Sequence, residues 1–296
     1  MKIADAVKIL NEPTGSHIDN IYIPSVGREV MFKPLTTADV KTLTRMNFLA
    51  TFDLNIEGLK LGLFDKLCAE DLSDTAEKDE TGEIIHPAIS AKTITQIDYL
   101  AFLIGIRKML HNEITYTFTC SQQHCHQKFD YTLNLETNFN DIITEFKRQH
   151  IFFEVIDERT SNIWKFELSN FTMSEYLYFR YFIERLRSAD SKSPDVEFNS
   201  KFVKPILYIK NIWINNELVE DWPALALPEK LSFFNQIPPD ITINTLNENS
   251  VTLYTTIRNT FIEEKLSDKI INLSVTCPKC QQTYGGVFDF DSFFMF

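Results

Sequence analysis

The chain has 296 residues, of which 44% are hydrophobic and 25 are Phe, with only 8 Gly. That length allows one large domain or two ordinary ones, and the composition allows an extensive aromatic core while excluding an intrinsically disordered chain. A net charge of −12 repels phosphate, which argues against a general nucleic-acid binder or a binder of anionic membranes and favours a protein partner.

The first residues, MKIADAVKILNEP, have neither a long apolar core nor a small-residue cleavage pattern, so they do not read as a signal peptide. Strands are expected around IYIPSVGREVMFKPL. A helix then opens at Thr36 with Asp39 three residues on, the spacing at which each side chain satisfies a free amide of the first turn. The stretch LKLGLFDKLC is amphipathic and ends in Cys68, expected as a small buried hydrophobe. Residues 65–83 hold eight acidic residues against two lysines, which suits a solvated connection. Ile97, Leu100, Phe102, Leu103, Ile104 and Met109 make a helix that is apolar nearly all round and so predict a buried one. Its strongest apolar run, Tyr99 to Ile106, is far short of the ~20 residues that span a bilayer. The expectation is a soluble protein made in a cytoplasm.

Next comes EITYTFTCSQQHCHQKFDYTLNLE, whose alternation predicts two strands around a cysteine pair. The order then starts again. FFEVIDERTSNIWKFEL predicts strands, Thr172 and Glu175 repeat the capping signal, and residues 188–200 form a polar connection. The proline-punctuated, aromatic residues 204–246 are expected to wrap this second half with short helices. VTLYTTIRNTFIEEKL supplies the later helix, and INLSVTCPKCQQTYGGVFDFDSF a second strand, cysteine pair and strand. The expected fold class is therefore α+β: two divergent strand–helix–hairpin copies, residues 1–145 and 146–296, joined by a shared zinc-ribbon-like site.

That site rests on Cys120, Cys125, Cys277 and Cys280. Each pair sits at a turn between strands, where a tight turn aims backbone amides at the sulfurs and puts both thiolates on one side. Two such turns facing each other form a tetrahedral four-sulfur site, which suits structural Zn2+ because zinc favours thiolate and imposes no direction of its own. About 150 residues separate the pairs, so the metal would close a very long loop and its binding would become part of folding. His124 and His126 compete for a ligand position. Free thiols and a redox pair are the rival readings, but a redox pair opens a helix after a strand, and CPKC is followed by strand-like QQTYGGVFDF. Four protein sulfurs would leave no position for water, so a catalytic zinc is not expected. Gly285 and Gly286 suit a bulge or turn.

Enzyme signatures are missing: no HExxH, no phosphate-cradling glycine loop and no GxSxG. Of the six histidines (His17, His86, His111, His124, His126, His150), those outside the cysteine turn are lone residues that suit structural or exposed positions, and no carboxylate pair stands out for acid–base work. The aromatic end FDFDSFFMF admits two readings: Phe288 and Phe290 fill the hairpin's inner face, or Phe293, Phe294 and Phe296 dock into a partner.

The apolar helix DYLAFLIGIRKML, a short polar step and the strand EITYTFTC entering a cysteine turn resemble the baseplate hub subunit family of contractile-tailed phages of the T-even type. The resemblance covers residues 94–136 and, more loosely, 250–290; the first knuckle, CSQQHC, departs from the CPxC form. It implies a non-enzymatic hub subunit or hub assembly factor, a late viral-tail protein working by protein–protein contacts. Its partners would be other baseplate hub or tail assembly proteins, with no nucleic acid, no membrane insertion and no small molecule. It would be found in the host cytoplasm during assembly and in the virion tail baseplate. The alternative is a zinc-ribbon nucleic-acid-binding module, but that class carries basic residues around its knuckles, and here only Lys128 and Lys279 lie nearby.

Overall fold

The computed structural model describes residues 19–41, 54–82, 84–137, 148–189, 204–220, 222–242, 251–261 and 272–287. The aromatic end from Phe288 onward lies outside them, as does most of the polar connection at 188–200. Helices and strands are mixed, as an α+β chain requires, and the contacts divide it into two compact units, residues 1–146 with 268–296 and residues 147–267. The first break falls after residue 146; the expected division is two copies, 1–145 and 146–296. The last 29 residues do not follow it: the second cysteine hairpin groups with the first unit, so the second unit is an insertion in the first.

In the first unit, β1 (Asp19–Ile23) and β2 (Arg28–Phe32) form an antiparallel hairpin. It buries Ile21, Ile23, Val30 and Phe32 on one face, the period-two alternation of half-buried strands. Helix α1 (Leu54–Leu67) runs into Cys68, which is buried as expected. Between the helices lies a connection with one short pairing, β3 (Glu77–Lys78) with β4 (Ile84–His86). Helix α2 (Gln96–Leu110) buries Ile97, Leu100, Phe102, Ile104 and Ile106, so the all-round apolar pattern does mark an interior helix. Phe32, Phe64 and Phe102 meet with ring centroids 5.1–5.2 Å apart, in the edge and tilted geometries that favour the ring quadrupoles.

Two capping boxes serve this unit. At Thr36 the amide donates to Asp39 Oδ2 (2.9 Å) and the Asp39 amide donates back to Thr36 Oγ1 (3.2 Å). Burial would push the Asp39 carboxyl up, but the Lys66 ammonium and the Thr36 donors outweigh it and hold it below the usual carboxylate range. At Thr95 the carboxylate of Asp98, fully buried, accepts from the Thr95 amide (2.7 Å) and from the Ser25 amide in the β1–β2 turn (2.7 Å). One carboxylate thus both starts α2 and ties it to the hairpin beneath. Burial pushes this carboxyl up, against those hydrogen bonds.

After α2, β5 (Glu113–Thr119) and β6 (Lys128–Asn134) pair over seven residues. Tyr116, Phe118, Phe129 and Tyr131 share the half-buried face, and Thr115, Thr117, Asp130 and Thr132 the exposed one. The chain returns to this unit as β11 (Asn272–Thr276) and β12 (Thr283–Val287), a second antiparallel hairpin.

The second unit is a four-stranded antiparallel sheet in the order β10-β9-β8-β7, built from β7 (His150–Ile156), β8 (Ile163–Ser169), β9 (Ile209–Ile214) and β10 (Glu217–Leu218). Helix α3 (Met173–Ala189) follows β8 and opens on the expected box: the Thr172 amide donates to Glu175 Oε2 (2.7 Å) and the Glu175 amide to Thr172 Oγ1 (3.2 Å). Residues 204–246 do supply short helical pieces, namely a 3-10 turn at Lys204–Tyr208, a second at Trp222–Ala224, α4 (Leu227–Phe234) and α5 (Pro239–Thr242). They also supply β9 and β10, which the proline-rich pattern concealed. Asn215 and Asn216, with φ of 52° and 68°, form the two-residue loop between them, a primed turn whose twist matches the strands. Helix α6 (Leu253–Thr260) closes the core. There Tyr208 lies between Phe171 and Phe261 (centroids 4.9 and 4.4 Å), and the Trp222 indole donates to the Ile209 carbonyl (3.2 Å).

Candidate metal centre

Each knuckle grows from the last rung of its hairpin. In the first, Thr119 pairs with Lys128 and the Cys120 amide then donates to the Gln127 carbonyl (2.9 Å). In the second, Thr276 pairs with Thr283 and the Cys277 amide donates to the Gln282 carbonyl (2.9 Å). The two turns differ in length before the second cysteine and agree after it. Cys125 is followed by His126 at φ 45° and Gln127, and Cys280 by Gln281 at φ 59° and Gln282. In each the chain reverses through a left-handed residue just past the second cysteine, a conformation that L residues other than Gly rarely adopt. The longer CSQQHC turn therefore reaches the same closure as CPKC.

The backbone so shaped points amides at the sulfurs. Gln122 donates to Cys120, Gln127 to Cys125, Lys279 and Cys280 to Cys277, and Gln282 to Cys280. Each of these amides belongs to the same knuckle as the sulfur it serves. Tyr284, the second residue of β12, differs: its hydroxyl lies 2.8 Å from Cys120 Sγ of the other hairpin. Tyr284 was not singled out in the sequence. Its one visible mark is position, an aromatic hydroxyl four residues after the last cysteine, opposite the buried Val275.

The four sulfurs all lie within 4.8 Å of one another, with Cys120 3.5 Å from Cys280 and Cys125 3.7 Å from Cys277. A tetrahedral ion with metal–sulfur bonds of about 2.3 Å sets its sulfurs about 3.8 Å apart, so the cluster is sized to hold one metal ion. None of the five cysteines is in a disulfide. Cys120 and Cys277 are buried, Cys125 half-buried and Cys280 exposed. His124 and His126 are both exposed, and the metal-competent group among the described residues consists of the four cysteines without either. His126 instead occupies the left-handed position of its turn.

Without metal, the thiols compete for one pool of charge. Burial would push the Cys120 thiol up, but the Tyr284 hydroxyl, the Gln122 amide and the Cys280 and Cys125 thiols bring it down to about 6. Cys280 is pulled down by the Gln282 amide, yet desolvation and its three sulfur neighbours push it up to about 12. The Cys280 and Lys279 amides hold Cys277 below the usual thiol range against its burial. The cluster thus favours partial ionisation, and a divalent cation supplies the charge that lets all four ionise.

The two hairpins lie 152 to 160 residues apart in the chain, counted from Cys125 to Cys277 and from Cys120 to Cys280, and both belong to the first unit. The four cysteines therefore come from two segments of one unit, and the second unit is inserted between them in the chain. The centre does not join two halves that each carry a hairpin. No helix among the described residues is long and apolar enough to cross a membrane. Compared with known proteins, the chain matches no protein-family model, no curated protein and no solved structure.

Proposed function

We propose that this chain is a non-enzymatic subunit or assembly factor of a contractile phage tail baseplate hub, with a structural zinc ion at Cys120, Cys125, Cys277 and Cys280. The observation that carries the metal reading is the convergence of four sulfurs within 4.8 Å from two hairpins distant in sequence. All-thiolate donors at tetrahedral spacing suit zinc, and a four-protein-ligand shell leaves no open coordination position for water or substrate, which supports a structural role. The hub reading is supported by the buried helix DYLAFLIGIRKML leading through EITYTFTC into a knuckle, and by an acidic chain that suits protein partners over phosphate.

We also read the two hairpins as divergent copies of one strand–knuckle–strand pattern. Support comes from the ending they share, a cysteine, a left-handed residue and a glutamine. The test is purification of the native protein from its producing cells. The proposal expects one zinc per chain by elemental analysis and co-purification of tail or hub proteins. Metal-free native protein would overturn the zinc assignment. Salt-dependent binding to nucleic acid, with no protein partner, would favour the zinc-ribbon nucleic-acid module instead.

A further inference from the structure

We propose that Tyr284 is a positioning residue for the metal centre: its hydroxyl donates across the hairpins to Cys120 Sγ and slows release of the ion. This rests on the metal reading above and adds a role that the four ligands do not carry.

The argument is one of connectivity. The amides described above as aimed at a sulfur each lie in that sulfur's own knuckle, so they shape each turn without joining the two. The Tyr284 hydroxyl starts on β12 and reaches Cys120 beside β5, at 2.8 Å. This hydroxyl–sulfur contact thus joins the two hairpins. The half-buried ring is held in register by the pairing of Tyr284 with Val275.

A tetrathiolate shell around a divalent ion carries excess negative charge. A hydroxyl donor draws density from one sulfur, makes it a weaker nucleophile and proton acceptor, and holds it in place when another ligand lets go. Cys280 is the exposed sulfur and Cys120 the buried one. Exchange therefore begins at Cys280, and the tyrosine keeps its neighbour Cys120, 3.5 Å away, from following.

The experiment compares the wild type, Tyr284→Phe and the wild type labelled with fluorotyrosine, each purified with its metal. Tyr284→Phe keeps the ring and removes the donor. It is expected to bind one metal per chain and to release it to a colorimetric chelator on the order of tenfold faster, the size typical of outer-sphere partners. In the cobalt-substituted protein the thiolate-to-metal charge-transfer band should move to lower energy, because the Cys120 sulfur loses its hydrogen bond; a merely structural tyrosine would not move it. The wild type grown with fluorotyrosine, whose more acidic hydroxyl is a stronger donor, should shift both readouts the opposite way, and it tests the donor should Tyr284→Phe fail to fold. Release rates and band positions equal to wild type in the folded variants would overturn the inference alone. A wild type that holds no metal would overturn the metal reading and the inference with it.

Discussion

His126 and Gln281 hold φ values of 45° and 59° at the point where each knuckle turns back into its strand. An L side chain in that region costs about 1 kcal/mol or more relative to Gly, because Cβ crowds the following carbonyl. Both side chains are exposed, and neither belongs to the sulfur cluster. His126→Gly and Gln281→Gly are therefore each expected to stabilise the metal-loaded protein by up to about 1 kcal/mol, offset in part by the extra freedom glycine brings to the unfolded chain. Chemical denaturation in the presence of zinc reads this as a higher midpoint at unchanged slope. Gly105 presents the opposite case. It lies in α2, where Gly→Ala ordinarily gains about 1 kcal/mol, yet a Cβ there would come within 2.6 Å of the buried Ile21 side chain. Overpacking of that kind costs about 1–3 kcal/mol, so Gly105→Ala should lower the denaturation midpoint. The four cysteines were legible at this scale because thiol pairs at turns have few other uses. Tyr284 was not, since an aromatic residue near a hairpin start signals packing long before it signals a hydroxyl aimed at a sulfur.

The elements legible in the sequence were those whose local chemistry and pattern agreed. Thr36 with Asp39 and Thr172 with Glu175 marked helix starts that do close as reciprocal boxes, and the alternation in EITYTFT and KFDYTLN marked a hairpin that pairs over its whole length. β9 was hidden because its pattern, two buried and four half-buried residues, is not a clean alternation, and the prolines around it argued for irregular chain. Asn215-Asn216 was the signal that could have found it. Between elements, Glu70 receives the Arg28 guanidinium (2.7 Å) and the Met31 amide (3.0 Å), linking the chain after α1 to β2. The Arg28 hydrogen bond holds its carboxyl below the usual range despite some burial. A carboxyl with a lower pKa folded than unfolded binds fewer protons in the folded state. Its stabilisation is thus present above the unfolded value, about 4.3, and is lost as pH falls through the folded one. Glu70→Gln should accordingly be less stable than wild type at pH 7 and approach it by pH 3. Urea titrations of both proteins across that range check the convergence.

At the scale of the whole molecule, the second unit, residues 147–267, is inserted into the first between its two cysteine hairpins. The first unit is discontinuous, so its second hairpin must find its place after more than a hundred residues of intervening chain. Closing a loop of that size costs entropy that grows only slowly with its length, and the proposed ion, bound by both ends, would offset the cost by restricting the unfolded ensemble. The sequence showed the two cysteine pairs. It could not show that the last hairpin belongs with the first unit, because that membership is a tertiary contact with no local signature. Among the described residues the metal-competent group draws no member from the second unit, which has its own core of Phe166, Tyr208, Trp222, Phe261 and their neighbours. Removing the metal should therefore act unequally. With a strong chelator, or in Cys277→Ser, the first unit is expected to lose protection while 147–267 keeps its own, since the loss falls on groups the insertion does not contain. Hydrogen exchange followed by mass spectrometry resolves the two sets of peptides: β5, β6, β11 and β12 should exchange faster without metal, and β7 to β9 at the same rate. Equal acceleration in both units would mean that the ion supports the fold of the entire chain, and unchanged exchange in the four hairpin strands would mean that it supports neither unit.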